Sequence, residues 1–234
     1  MKHAAVGSVG ALVAAFSCGA QASDLSYTFI DFQGIATSVD ATGAQTPVPG
    51  QTVQVDAGDG NGIAVEGGLA LPGRFYAVGR FAAAVVDVDG IVTSPLAVVE
   101  VTGEFDLLTS SLAIGYIYEL GPELDLIAEL SYDSTEYDFG SFAGEDLDID
   151  DSGLGARVGF RWNPVPALEV FTSVKHSPVA EAVLDRRTLE AETRLSLGAR
   201  WYVFEDLGVG LDYESGSASA LTLSMRFSFG SLPW

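Results

Sequence analysis

The stretch RLSLGARWYVFEDLGVGLDYESG, residues 194–216, decides the fold class of this chain. Large apolar residues such as Leu197 and Trp201 alternate with small or charged ones such as Arg200, and the alternation resumes after the short turn FEDLG, residues 204–208. A period of two residues is typical of a β-strand with one apolar face. The stretch therefore predicts an antiparallel hairpin whose second face carries glycine and charge.

The chain is strongly acidic and yet rich in apolar residues. Its 234 residues include 11 Lys and Arg against 32 Asp and Glu, which gives a formal net charge of −21. Nucleic-acid binders need a basic surface, so this balance excludes nucleic acid as a partner. Acidic disordered chains are poor in apolar residues, whereas 48% of these residues are apolar. The composition indicates a folded protein that keeps its acidic residues apart from a large apolar surface.

The first residues predict a signal peptide for export through the Sec pathway. Lys2 and His3 precede a run of small and apolar residues over 4–15, and Ala20-Gln21-Ala22 is typical of a cleavage site. Cleavage after Ala22 leaves a single barrel domain, residues 23–234, without cysteine, as suits an oxidising compartment. A membrane-anchoring helix is the alternative, but the run is shorter than the roughly 20 residues that a span needs. A lipoprotein anchored at Cys18 would need a better lipobox.

Turns of two lengths follow one another along the chain. Short turns at 71–74, 120–123, 163–167 and 204–208 alternate with mostly longer polar stretches at 34–62, 88–103, 134–151, 177–190 and 215–219. Outer-membrane barrels have short periplasmic turns and longer extracellular loops, and a soluble β-sandwich, the alternative, gives no reason for this sorting. We predict an all-β, antiparallel up-and-down transmembrane β-barrel of ten strands, with eight as the alternative count. The segments are 24–33, 62–71, 74–87, 104–119, 123–133, 153–163, 167–176, 190–204, 208–214 and 220–229.

The apolar faces of these segments are predicted to contact lipid. Aromatic residues cluster near the segment ends, as they do in the girdles that anchor barrels at the two membrane interfaces. The residues that we expect at these interfaces are Tyr116, Tyr118, Tyr132, Phe160, Trp162, Trp201, Phe227 and Phe229.

The opposite faces are predicted to line the lumen and to carry most of its charge. Acidic and basic strands largely alternate, so neighbours pair acid with base, and closure of the barrel brings Arg226 beside Asp31. Charges withdrawn from bulk water need such partners, and arginine can bind a carboxylate with two hydrogen bonds. Arg74 and Lys175 also fall on this face, Lys175 as an exception on an acidic strand. The predicted network comprises Asp31, Glu66, Arg80, Asp125, Glu129, Arg157, Arg161, Glu169, Arg194, Arg200, Asp212 and Arg226. A water-filled lumen with separately solvated charges is the alternative.

The excess negative charge lies largely in the polar stretches. Residues 134–151 hold seven carboxylates, which could bind divalent cations at a lipopolysaccharide-rich surface. A solvated acidic loop is the simpler interpretation. The stretch DAGDGNG, residues 56–62, lacks the spacing of a calcium-binding loop. We predict neither a cofactor nor a metal site.

An enzyme is the least favoured interpretation. Beyond the predicted signal peptide, histidine is limited to His176, which a hydrolase could use with Ser173, Ser177 or Asp185. One histidine among many serines and aspartates is a weak signal. The chain has no P-loop, no GxSxG motif and no His/Cys cluster with the spacing of metal ligands.

Several stretches resemble the OmpA/OmpX/OmpW-like superfamily of small outer-membrane barrels. SYTFIDFQG (26–34) resembles the first strand of that family, and GLGARVGFRWNP (153–164), LGARWYVFEDLGVGLDYESG (197–216) and LTLSMRFSFG (221–230) resemble later hairpins. The resemblance implies a bacterial outer-membrane location, lipid and lipopolysaccharide as surroundings, and insertion by the barrel-assembly machinery. In the family that machinery reads a C-terminal aromatic residue, whereas here GSLPW extends beyond Phe229 to Trp234.

These observations predict a structural or surface role, envelope-stabilising or adhesion-type, for a barrel that is a monomer. A narrow porin-like channel for small or hydrophobic solutes is the alternative, since ten strands leave a narrow interior. A hydrolase that uses His176 is a distant third.

Overall fold

The computed structural model of the protein describes residues 26–39, 43–45, 52–93, 97–142, 145–183, 188–216 and 218–229. The predicted signal peptide, its cleavage site and the terminal Trp234 lie outside these ranges. The described residues form strands and turns. The strands are β1 (Phe29–Val39), β2 (Gly43–Gln45), β3 (Thr52–Leu71), β4 (Phe75–Thr93), β5 (Val98–Gly121), β6 (Leu124–Phe142), β7 (Glu145–Val165), β8 (Leu168–Val183), β9 (Thr188–Phe204), β10 (Leu207–Ser215) and β11 (Ala218–Ser228).

Ten of these strands close into an antiparallel barrel. From β3 to β11 each strand pairs with the next one along the chain, and β1 pairs with both β11 and β3. Register is continuous across the closing seam, where Asp31 lies opposite Arg226 on one side and Glu66 on the other. The three-residue β2 only extends the outer end of β3. The predicted ten-stranded up-and-down barrel is confirmed, and the eight-strand alternative is wrong.

The tight turns lie at one end of the barrel, together with the start of β1 and the end of β11. They span residues 72–74, 122–123, 166–167 and 205–206. At the first of them the backbone takes positive φ at Gly73 and Arg74, 77° and 69°, which favours glycine at the first position. We call this the short-turn end and the other the long-hairpin end. The prediction that the short turns share one end of the barrel is therefore confirmed.

Strands β3 to β8 are much longer than the sequence predicted, whereas β1, β10 and β11 have about the predicted length. Large parts of the polar stretches 34–62, 88–103, 134–151 and 177–190 are strand, and the connection between β10 and β11 covers only residues 216–217. β5 has 24 residues, whereas about 9–11 suffice to cross a bilayer. Beyond the apolar belt the faces exchange character: Val86, Phe105 and Tyr137 are buried inside, and Asp87 and Glu104 are exposed outside. A pattern that assigns apolar residues to lipid therefore could not show these extensions.

The outer face of the barrel is apolar on every strand near the short-turn end. Leu112, Leu130, Leu154 and Leu223 are each more than 60% exposed, and a continuous exposed apolar surface of this kind fits lipid and not water. Of the predicted interface aromatics, Phe227 is half-buried. The other seven are exposed on this outer face: Tyr116, Tyr118, Tyr132, Phe160, Trp162, Trp201 and Phe229.

No helix in the described ranges has the length and apolarity needed to span a membrane.

The apolar belt gives a first testable prediction. Leu223→Arg places a charge between Leu221 and Met225 near the middle of the belt, and we expect it to lower the free energy of unfolding by about 2–4 kcal/mol. Thr102→Arg, on the exposed outer face of β5 beyond the belt, is the matched control and should cost about 1 kcal/mol or less. Urea titration of the barrel folded in lipid vesicles measures both. Equal effects of the two substitutions would contradict a lipid-facing belt at Leu223.

Candidate functional site

A connected group of buried charges fills the lumen at the short-turn end. Its centre is the Asp31 carboxylate on β1, which is 0% exposed. Asp31 Oδ2 accepts hydrogen bonds from Arg226 Nε and from Arg200 Nη2, both at 3.0 Å. Arg226 lies on the neighbouring β11, whereas Arg200 reaches Asp31 from β9, across β10 and β11.

Glu169 on β8 extends the group further around the lumen. This carboxylate is 1% exposed and accepts from Arg161 Nε at 2.9 Å, Arg200 Nη1 at 3.4 Å and the Tyr202 hydroxyl at 2.7 Å. Arg226, Asp31, Arg200, Glu169 and Arg161 therefore form one continuous chain of ion pairs, which we call the buried charge network. It joins residues of five strands, and each of its charges has an opposite partner, as burial requires.

Three tyrosines also point into the lumen and bond its carboxylates, and none of them was among the predicted lumen residues. Tyr27 is 5% exposed and donates its hydroxyl to Asp125 Oδ2 at 2.9 Å. The Arg161 guanidinium lies 4.3 Å from the Tyr27 ring centroid and donates to the Ser26 carbonyl across the lumen at 3.3 Å. Tyr76 donates to Glu129, and Tyr202 to Glu169. Each tyrosine has the parity of the charged face of its segment, so inward parity was the signal that could have found it.

A second set of ion pairs lies further towards the long-hairpin end. Arg157 Nε donates to Glu129 Oε2 at 2.6 Å, and Lys175 Nζ donates to Asp133 Oδ1 at 2.9 Å. The Ser111 hydroxyl also donates to Asp133, at 2.6 Å.

Arg194 on β9 belongs to this second set. It bonds Glu192 on its own strand at 2.7 Å and Glu214 on β10 at 3.1 Å. The basic side chains of the second set keep 21–30% of their surface exposed, whereas those of the buried charge network keep 8% or less. The second set therefore faces open space inside the barrel.

The predicted lumen residues come together partly by neighbour pairing and partly across the lumen. Five acid–base pairs stand directly opposite each other in the register: Asp31–Arg226, Glu66–Arg80, Asp125–Arg161, Glu129–Arg157 and Glu169–Arg200. The bonds do not all follow this register. Arg161 bonds Glu169 diagonally, and Arg226 also reaches Glu66 at 3.5 Å. Arg80 donates to Gln33 Oε1 at 3.4 Å.

Asp212 and Arg74 were also predicted to face the lumen, and of these two only Asp212 does. Asp212 on β10 lines the lumen opposite Gly198 and Thr222. Arg74 was expected on the lumen face and lies instead in the first tight turn, where it is exposed and pairs with Glu119 at 3.2 Å. The reason is that β3 ends at Leu71 and β4 begins only at Phe75, so residue 74 does not follow the alternation of either strand.

A cavity of about 180 Å³ separates the buried charge network from the long-hairpin end. Side chains of both charge signs line it, together with Gln33, Ser173, Ser196 and Ser224. A space of this size holds several water molecules. The lumen is therefore filled by side chains at the short-turn end and open to small polar molecules in its middle.

Among the described residues, His176 lies on the opposite face of its strand from both serines proposed for hydrolysis. His176 lies on the outer face of β8, is exposed, and has Nδ1 3.1 Å from the Thr193 hydroxyl. Ser173 and Ser177 are buried on the inner face of the same strand, because odd and even residues of a strand point to opposite sides. Asp185 lies outside the described residues.

The acidic stretch 134–151 is not a loop but most of a hairpin between β6 and β7. Glu136 faces Asp150, and Asp138 faces Asp106 on the other side of β6. Within the described ranges no group of three His, Cys, Asp or Glu side chains could hold a metal ion. The outer face of these extensions is therefore strongly acidic, although like charges directly opposite each other on neighbouring strands are unfavourable.

Removal of one network arginine gives a second prediction. Arg200→Met leaves Asp31 and Glu169 buried with one partner fewer each, and we expect a loss of about 3–5 kcal/mol in the free energy of unfolding. Arg74→Met removes an exposed pair at the same end and should cost about 1 kcal/mol or less. Urea titration in lipid vesicles compares the two. Similar costs would mean that the lumen is hydrated and the network weak.

A charge exchange across the closing seam gives a third prediction. Arg226→Glu places like charges beside Asp31 and Glu66, and it should lower the thermal midpoint clearly. Asp31→Arg combined with Arg226→Glu should restore only part of this loss, because the new arginine would face Arg200. Heat-modifiability on gels, followed over a temperature series, measures the midpoints. Full recovery in the double variant would contradict the bond between Asp31 and Arg200.

No protein-family model matches this chain, and no curated protein matches it. Among solved structures it is similar to the translocator domain of autotransporter NalP from Neisseria meningitidis, at 14% identity over 88% of this chain and 89% of that one, with a TM-score of 0.47. It is similar to the COG4313 outer membrane channel from Pseudomonas putida F1 at 10% identity, over 88% and 97% of the two chains, with a TM-score of 0.45. It is also similar to the outer membrane protein OprG from Pseudomonas aeruginosa, at 11% identity over 87% of this chain and 97% of that one, with a TM-score of 0.42. All three TM-scores are below 0.5, so these likenesses carry no weight for function.

Proposed function

We propose that this protein is an integral outer-membrane β-barrel with a structural or surface role, whose lumen is closed at the periplasmic end. The observation that carries the proposal is the buried charge network. Five charged side chains from five strands meet there with 7% exposure or less, and they occupy the cross-section that an open pore would need. A ten-stranded barrel is narrow enough for side chains to close it.

The long-hairpin end supports the surface part of the proposal. Strands β3 to β7 have 19 to 24 residues, whereas β10 and β11 have 9 and 11. At about 3.3 Å per residue and a strand tilt of roughly 40°, ten extra residues raise one side of the barrel wall by roughly 25 Å. The outer face of this tall side is acidic, with exposed residues such as Asp87, Glu104 and Glu136. Such a wall presents a large charged surface outside the membrane.

The surroundings of the barrel belong to the same proposal. The apolar belt fits lipid, and the acidic wall beyond it fits the polar zone of a lipopolysaccharide leaflet. We also propose that the chain is exported through the Sec pathway with cleavage after Ala22, is inserted by the barrel-assembly machinery, and is a monomer. None of the described residues suggests catalysis, so we propose no enzymatic activity.

A narrow channel is the second candidate, and the lumen cavity of about 180 Å³ favours it. Rearrangement of the network would join this space to the periplasmic side. The solutes would be small and polar, because charged and hydroxyl side chains line the cavity.

Planar-bilayer conductance tests the proposal and separates it from the second candidate. The wild-type barrel should show no steady conductance, because the network fills the lumen. The double substitution Arg200→Ala/Glu169→Ala removes one charge of each sign from the network and should produce steady single-channel openings. The matched control is Arg74→Ala/Glu119→Ala, which removes an exposed pair at the same end and should stay closed.

Two outcomes would contradict the closed barrel. Steady conductance of the wild type would favour the channel, and a silent Arg200→Ala/Glu169→Ala variant would mean that the network is not what closes the lumen. Heat-modifiability on gels must first show that each variant has folded. Fractionation of the source cells then tests the location, since a soluble periplasmic protein would overturn the proposal as a whole.

A further inference from the structure

The basic residues of this chain are concentrated around one cavity. The chain carries a net charge of −21 and only 11 Lys and Arg, and seven of these line the lumen cavity. Five acidic residues line it as well. The lining thus holds two more basic than acidic residues, while Asp31, Asp133 and Glu192, which do not line it, bond Arg200, Lys175 and Arg194.

Three of the seven basic residues stand in a single row across neighbouring strands. Arg157 on β7 lies directly opposite Lys175 on β8, and Lys175 lies directly opposite Arg194 on β9. We call these three residues the basic row. Side chains directly opposite each other have their Cβ atoms about 5 Å apart, and like charges in such positions are unfavourable. The row therefore concentrates positive charge where strand pairing alone would disfavour it.

The carboxylates near the basic row do not use all of its donors. Glu129 engages Nε and Nη2 of Arg157, and Asp133 engages one of the three N–H groups of Lys175. These bonds leave Nη1 of Arg157 and two ammonium hydrogens of Lys175 for another acceptor. Both side chains are partly exposed, at 30% and 27%, and both line the cavity.

A shelf of small residues lies next to the basic row on the same lumen face. Two residues closer to the short-turn end, Gly159 faces Ser173, and Ser173 faces Ser196. The two serine hydroxyl oxygens are 2.7 Å apart and line the cavity. Because these side chains are short, the space beside the row is not filled by protein. One serine donates its hydroxyl to the other, so one O–H and the cationic donors of the row face this space, as oxyanion recognition requires.

We infer that the lumen cavity is a binding site for a small oxyanion, held by Arg157 and Lys175 of the basic row above the shelf of Ser173 and Ser196. An oxyanion there accepts the hydrogen bonds of Arg157 and Lys175 that Glu129 and Asp133 leave. The cavity of about 180 Å³ suits free phosphate, sulfate or the carboxylate of a small solute. This site does not depend on conduction, so it can exist whether the barrel is closed or a channel.

Equilibrium dialysis with radiolabelled inorganic phosphate tests the inference on the detergent-folded barrel, at constant ionic strength in sodium chloride. The wild type should bind phosphate saturably at one site per barrel. Lys175→Gln should weaken this binding at least tenfold, and Lys175→Arg should keep most of it. Arg74→Gln is the matched control, an arginine outside the lumen, and it should leave binding unchanged.

A second variant keeps the inference testable if Lys175→Gln does not fold. Ser173→Asp places a tethered carboxylate on the shelf, so it should abolish phosphate binding and leave the thermal midpoint equal or higher. Absence of saturable binding in the wild type would overturn the inference. Binding that survives both Lys175→Gln and Ser173→Asp, that Arg74→Gln removes, or that chloride displaces at equal concentration would overturn it as well.

Discussion

The structure depends on matching desolvated charge across the lumen. Asp31 is fully buried and is held by two arginines from different strands, and Glu169 is held by two more guanidinium contacts and a tyrosine. In a low-dielectric interior an unmatched carboxylate is very costly, while a matched set with complete hydrogen bonding is tolerated. The positions of the arginines, the inward tyrosines and the small residues between them all follow from this requirement. The lipid outside makes no such demand and requires only an apolar surface.

Much of the fold could be predicted from the sequence, because lipid contacts one face of each strand and the lumen the other, so residue character alternates along the chain. Lipid selects Leu197, Trp201 and Leu223 on one face, and the lumen selects Arg200 and Arg226 on the other. The tight turns carry Pro, Gly and Asp, so their positions and parity were also readable. The strand extensions were not, because the two faces exchange character beyond the apolar belt. Val86, Phe105 and Tyr137 are buried on the inner face there, and acidic residues such as Asp87 and Glu104 are exposed on the outer face.

The lumen could be predicted as a set of residues but not as a set of bonds. Parity and charge identify Asp31, Arg200 and Glu169 as inward residues. Which of them bond depends on the shear of the barrel and on the reach of arginine, so Arg200 contacts Asp31 across two intervening strands. The tyrosines were missed because the inward residues were identified by their charge, and a neutral tyrosine carries none. Tyr27 and Tyr202 use their hydroxyls inside the lumen.

The bond between Arg200 and Asp31 has a consequence for how the barrel assembles. These residues are 169 positions apart in the chain, and the Arg226–Asp31 pair is 195 apart. Contacts so distant in sequence form late, because most of the chain must already be ordered before they meet. Until β1 meets β11, the network has no complete set of partners, and water must hydrate its charges in an open, curved sheet. Closure of the seam therefore expels this water and completes the ion pairs in one step, which makes the half-closed barrel a short-lived species with a wet and unsealed interior.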